Sequence, residues 1–126
     1  GAYITKTENG DSQLYRHGWI ADYPDPDNFL YVLLNSENKG GGGNYSFYEN
    51  PEFDQLTEEA RGMKPGEERI EKYQKAEQMA IDDAPWVPIY YYTNLIIRKP
   101  EVEGYVVTGL GVMELDKVWL REDLRE

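Results

Sequence analysis

Hydrophobic and polar positions change period several times along the chain, and each change marks an element. Residues 3–20 read as extended structure: Tyr3-Ile4-Thr5 is β-prone, Glu8-Asn9-Gly10-Asp11 is a turn signal, and Leu14-Tyr15 leads toward Trp19-Ile20. Asn9-Gly10 between two such runs predicts a hairpin with a primed turn, whose two central residues both take positive φ. Asp22-Tyr23-Pro24-Asp25-Pro26-Asp27-Asn28 follows, and its prolines forbid a ladder or a helix interior. Residues 29–34 are apolar and short. The acids Asp25 and Asp27 ahead of them suit a helix N-terminus, because a carboxylate favours the positive end of the backbone dipole. Residues 35–50 read as a loose surface loop around the glycines at 40–43.

Two longer helices follow. Asn50-Pro51-Glu52 supplies a capping side chain, a proline at the first helical position and an acid in the first turn. Phe53, Leu56 and Ala60 then fall on one face, and Gly62 ends the helix. After Lys64-Pro65-Gly66, Glu67 and Glu68 open the next helix, in which Ile70, Tyr73, Ala76 or Glu77, and Ala80 keep helical spacing. Glu68 with Lys72, and Glu71 with Lys75, have the spacing of intrahelical ion pairs, each contributing about 0.2–0.5 kcal/mol. Asp82-Asp83-Ala84-Pro85 closes it.

The remainder is β-rich. Residues 86–92 and 94–98 are dense in β-formers and read as one long bent strand or a tight pair. Val102, Tyr105-Val106-Val107 and Val118-Trp119-Leu120 give further short strands. Two or three helices and short strands without regular alternation indicate an α+β fold or an incomplete α/β unit.

Charge and composition then narrow the chemistry. The 126 residues carry 24 Asp+Glu against 13 Lys+Arg, a net charge of −11, which argues against nucleic acid as a partner, since phosphate affinity comes from clustered cations. With 40% apolar and 13% aromatic residues the chain has the side chains to offset its ordering entropy. Cysteine is absent, which removes disulfides, thiolate metal sites and cysteine nucleophiles together. His17 is the single histidine, so no multi-histidine metal site can be built and no metal or cofactor is expected. No Gly-x-Ser-x-Gly elbow accompanies it, and an enzyme is not expected. The glycine run lacks the Gly-Lys-Ser/Thr that a phosphate loop needs.

Asp22, Asp25 and Asp27 lie in one turn. Glycoside hydrolysis needs two carboxylates at a set separation across a sugar, usually from different elements, and the calcium-loop pattern lacks its glycine and its final Glu. Trp19 and Asp22 offer more. A carboxylate on a proline-fixed loop suits an ammonium ion, and an indole beside it adds apolar area and cation–π attraction. Tyr23, Tyr31 and Tyr45 would widen such a surface. The alternative is that Trp19 is core and Asp22 caps a helix.

These residues also carry a resemblance. Gly18-Trp19-Ile20-Ala21-Asp22-Tyr23-Pro24-Asp25-Pro26-Asp27-Asn28-Phe29-Leu30 resembles the Trp-x-Ala-Asp-Tyr-x-x-Pro signature of solute-binding proteins of oligopeptide and dipeptide ABC transporters, the bacterial extracellular solute-binding protein family 5. Asn50-Pro51-Glu52-Phe53-Asp54-Gln55-Leu56, the stretch from Arg69 to Tyr73-Gln74-Lys75-Ala76-Glu77, Asp83-Ala84-Pro85-Trp86-Val87-Pro88-Ile89-Tyr90-Tyr91-Tyr92 and Lys99-Pro100-Glu101-Val102-Glu103-Gly104-Tyr105 match further motifs in order. The family chain is several times longer, so the resemblance implies a C-terminal segment, with about 1–85 from the second lobe and about 86–126 returning toward the first lobe of a two-lobed α/β periplasmic-binding-protein type II fold. Gly1-Ala2 reads as a cloning remnant.

What the resemblance implies is capture of oligopeptides in a cleft between two lobes and delivery to ABC permease subunits in the membrane. The location would be periplasmic, or cell-surface as a lipoprotein. Carried over by position, Asp22 matches the acid that pairs with the peptide's α-ammonium and Trp19 the aromatic beside it. Arg16 falls where some oligopeptide binders place a basic residue near the ligand carboxylate, and Tyr23 belongs to the motif. Rival readings are a nickel-chelate, haem or oligosaccharide binder on the same scaffold, and a self-contained acidic interaction domain. The segment alone is expected to bind peptide weakly and, through unpaired sheet edges, to dimerise.

Overall fold

The computed structural model describes residues 1–124, in two units: Gly1–Pro88 and a second that begins at Ile89. The first unit holds α1 (Ala2–Glu8), α2 (Asp27–Leu34), α3 (Pro51–Gly62) and α4 (Glu67–Asp83), with single 3-10 turns at Ser36–Asn38 and Gly40–Gly42. The second holds β1 (Val102–Glu103), which pairs antiparallel with β2 (Trp119–Leu120) in the register Val102–Leu120 and Glu103–Trp119. Among the described residues no helix is long and apolar enough to cross a membrane.

Helix α3 starts where its cap predicts. The Asn50 side-chain oxygen accepts from the Glu52 and Phe53 amides at 3.0 and 3.3 Å, satisfying donors that have no partner inside the helix. Tyr48 and Asn50 both donate to the Asp83 carboxylate at 2.6 and 2.8 Å, tying the start of α3 to the end of α4. Ala84, with φ of 52°, ends α4 in the left-handed region, and Pro85 prevents its continuation. Lys72 and Lys75 do not take the intrahelical partners expected of them. They reach across to Glu59 (2.7 Å) and Glu52 (2.8 Å) on α3, because the antiparallel packing of the two helices brings those carboxylates to the same edge.

The core is the seam among three helices. Leu30 and Leu34 of α2, Phe53 and Ala60 of α3, and Tyr73, Ala76 and Ala80 of α4 are buried together, with Tyr48, Leu56, Met79 and Trp86 packed around them. The Tyr48 and Phe53 rings meet edge-on with centroids 5.3 Å apart. Burying each large apolar side chain of this seam stabilises the unit by about 1.5–3 kcal/mol.

Further expectations are corrected. Residues 2–8 are helical, giving four α-helices in place of two or three. No hairpin forms at Asn9-Gly10, because only Gly10 has positive φ (73°) while Asn9 stays right-handed at −84°. The Gly10 and Asp11 amides instead close α1 by donating to the Thr7 and Lys6 carbonyls, so the same dipeptide acts as a helix terminator.

Residues 35–50 are also not loose. The buried amide nitrogen of Asn44 lies 2.9–3.2 Å from the carbonyls of Leu34, Asn35 and Tyr48, and Asn35 donates to Thr57. Gly43 has φ of 124°, and a Cβ there would sit 2.7 Å from the Val32 carbonyl oxygen, so this close approach requires glycine.

The runs at 86–92 and 94–98 differ as well. Neither forms a strand, and Tyr91 is 99% exposed. A β-prone run becomes a strand only when a partner satisfies its backbone groups, and no partner strand for them exists among the described residues. The strands expected at 105–107 reduce to a single bridge between Val107 and Met113.

Candidate ligand-binding site

The loop that precedes α2 is held on two sides. Pro24 and Pro26 restrict its backbone, and the Asp25 side chain accepts the Asp27 amide at 3.0 Å, fixing the entry into the helix. From α4, Arg69 grips Asp25 with Nη1 and Nη2, each 2.8 Å from a carboxylate oxygen, while its Nε donates to the Ala60 carbonyl at 2.9 Å. This planar fork holds the Asp25 carboxyl below the usual carboxylate range.

Asp27 is 7% exposed and as fully engaged. Its Oδ1 meets Arg61 Nε at 3.0 Å and accepts from the Tyr73 hydroxyl at 3.2 Å, and its Oδ2 accepts from the Tyr23 hydroxyl at 2.5 Å. Arg61 also stacks over the Tyr31 ring at 3.7 Å. Burial, then the bond to Asp27, pushes the Tyr23 phenol up, and burial pushes Tyr73 further. Tyr23, Asp25, Asp27, Arg61 and Arg69 line a shallow cleft of about 280 Å³ in which each acid already has its cation. The charges of this cleft are spent on one another.

Asp22 differs. It is exposed, and its carboxylate has no hydrogen-bond or ion-pair partner among the described residues. Its backbone is fixed all the same: the Asp22 amide donates to the side-chain oxygen of Asn28 at 3.1 Å. The same oxygen accepts the indole N–H of Trp19 at 2.7 Å. Trp19 is half-buried, neither core nor free. A carboxylate and an indole are both groups that attract a cation.

Of the four residues singled out from sequence, the structure joins Trp19 and Asp22 through Asn28. Tyr23 is turned to Asp27 and belongs to the ion-pair cleft. Arg16 is exposed, and its carbonyl accepts from the Tyr3 hydroxyl. His17 meets the Tyr45 ring edge-on at 4.9 Å. Among the described residues no cluster of His, Asp and Glu could hold a metal ion. Sequence reasoning missed Asn28, Arg61 and Arg69 as site residues; an asparagine in the first turn of α2, next to Asp27 and just ahead of the apolar run 29–34, was the available signal for the first.

No protein-family model matches the chain. It is 37% identical over 109 residues to the oligopeptide-binding protein OppA of Bacillus subtilis (strain 168), covering 86% of this chain and 19% of that protein. At the same identity and length it matches heme-binding protein A of Haemophilus influenzae, covering 20% of it. The solved structure of the ABC transporter-associated periplasmic binding protein DppA from Helicobacter pylori, in complex with the peptide STSA, aligns with a TM-score of 0.79 at 36% identity, over 94% of this chain and 24% of that one.

The chain is homologous to a segment of the peptide-binding proteins. It spans about a fifth of the length of the curated relatives it matches. The structural likeness bears out the α+β class and places these helices and the short β1–β2 ladder in the periplasmic-binding-protein fold. These relatives are named for what they bind, not for a reaction they catalyse.

Proposed function

We propose that the protein containing this segment is the extracytoplasmic peptide-binding component of an ABC importer, and that Asp22 receives the α-ammonium of the bound peptide with Trp19 lining the pocket beside it. The observation that carries this reading is the contrast within one loop. Asp25 and Asp27 are consumed by Arg69 and Arg61, whereas Asp22 presents an unpaired carboxylate on a backbone pinned by Asn28. A partly desolvated ammonium–carboxylate pair helps binding only when its geometry is set in advance. Arg16 stands on the same exposed segment as a candidate for the ligand's carboxylate, and Tyr23 supports the loop through Asp27.

The remaining assignments follow from the same reading. Residues 1–85 belong to the second lobe and 86–126 return toward the first, whose strands pair with the β-prone runs at 86–98. The site of action is the periplasm or the cell surface, as a lipid-anchored form in a Gram-positive source, with membrane permease subunits as partners. The isolated segment binds peptide weakly and associates through its unpaired edges as a dimer.

Likeness to a heme-binding protein supports a second reading, in which the scaffold holds a haem. Calorimetry on the full-length protein separates the two, using a short peptide and its N-acetylated twin. Binding of the free amine, lost on acetylation, is the expected result. Equal binding of both removes the role of Asp22, and binding of neither, with haem bound instead, replaces the peptide reading.

A further inference from the structure

The structure assigns to Asn28 the positioning of this pocket: one buried side-chain oxygen holds the indole of Trp19 and the backbone of Asp22 in fixed relation. The inference rests on the ammonium reading of Asp22. Asn28 is 1% exposed, and its Oδ1 lies 2.7 Å from Trp19 Nε1 and 3.1 Å from the Asp22 amide. Those two donors come from a segment without helix or strand, which has no regular ladder to hold it. Asn28 itself is in the first turn of α2, its amide donating to the Asp25 carbonyl at 3.1 Å, and the Asp25 side chain is locked to α4 by Arg69. Rigidity passes from the helical seam through Asn28 to the pocket.

The amide also suits the task in charge. An aspartate would accept both bonds and keep the pocket in place, at the cost in stability of burying a further carboxylate beside Asp25 and Asp27. An amide oxygen is a neutral acceptor, so the site's unpaired charge stays on Asp22. A leucine of similar size can replace none of this.

The test uses the full-length protein and the ratio of affinities for a free-amine peptide and its N-acetylated twin, with thermal melts alongside. Asn28→Leu should lose about tenfold or more of that ratio, the scale of one charge-assisted contact, while binding the acetylated peptide nearly as before. Asn28→Asp, which keeps an oxygen able to accept both bonds, should retain discrimination. A wild-type ratio in Asn28→Leu overturns the inference, as does an equal loss of affinity for both peptides. If the leucine variant fails to melt cooperatively, the aspartate variant decides: loss of discrimination there overturns the inference too. When wild type itself does not discriminate, the ammonium reading has failed and takes this inference with it.

Discussion

Arg69 and Asp25 meet through two parallel hydrogen bonds of 2.8 Å each, across 44 residues of chain. The pair joins the loop bearing Asp22 to the last long helix, and the Arg69 side chain is largely buried. Arg69→Met removes the fork and the bond to the Ala60 carbonyl and leaves Asp25 uncompensated. The expected loss is roughly 2–4 kcal/mol, below that of a fully buried pair because Asp25 keeps a third of its side chain in water. Denaturant unfolding should show a lower midpoint at unchanged slope, and Arg69→Lys, which cannot make the planar fork, should recover less than half.

The same pair sets an acid-stability dependence. Hydrogen bonding to Arg69 lowers the Asp25 pKa in the folded state, so the unfolded chain takes up its proton first as pH falls. The stabilisation is therefore complete above the unfolded carboxylate value of about 3.9 and disappears as pH drops through the lower folded value. Stability measured from pH 5 down to 2 should fall more steeply in wild type than in Arg69→Met. Parallel curves would show that the fork carries no linkage.

Asp22→Asn in the full-length protein should weaken free-amine peptides by about 1.5–3 kcal/mol, the range of a hydrogen bond to a charged group. The N-acetylated peptide should bind both proteins alike. Because Asp22 is exposed and its carboxylate is unpartnered among the described residues, the melting temperature should not fall, and any loss of affinity then belongs to the ligand contact.

Gly43→Ala should destabilise by at least about 1–2 kcal/mol, since it combines positive φ with a Cβ 2.7 Å from the Val32 carbonyl oxygen. Gly41→Ala, two residues away, meets nothing within 4 Å and should be neutral or slightly stabilising. Thermal melts of the two variants separate a built turn from a flexible linker; equal melting temperatures would restore the loose-loop reading.

What the sequence made legible was local. Asn50-Pro51 announces α3 because the cap oxygen and the amides that donate to it are only two and three residues apart, and the face of Phe53, Leu56 and Ala60 follows from helical spacing. Asn9-Gly10 was ambiguous, since the residues that suit a primed turn also suit a helix end, and only the conformation of Asn9 decides between them. The partners of Asp25, Asp27, Lys72 and Lys75 lie on other helices, where no single-chain period reports them. The runs at 86–98 show how far β-propensity alone goes, because a ladder is a property of two segments. Trp19 and Asp22 were visible through their motif, whereas the atom that unites them, Asn28 Oδ1, was not.

Helices α3 and α4 are joined by only four residues, 63–66, and pack directly on one another. Chain closure between them is entropically cheap, so this hairpin forms early in folding and the 44-residue closure that docks Asp25 on Arg69 comes after it. The order has a kinetic result. Substitutions in the α3–α4 seam should slow folding, while those at Asp25 should chiefly hasten unfolding, making the pocket the last part of this unit to assemble and the first to be lost.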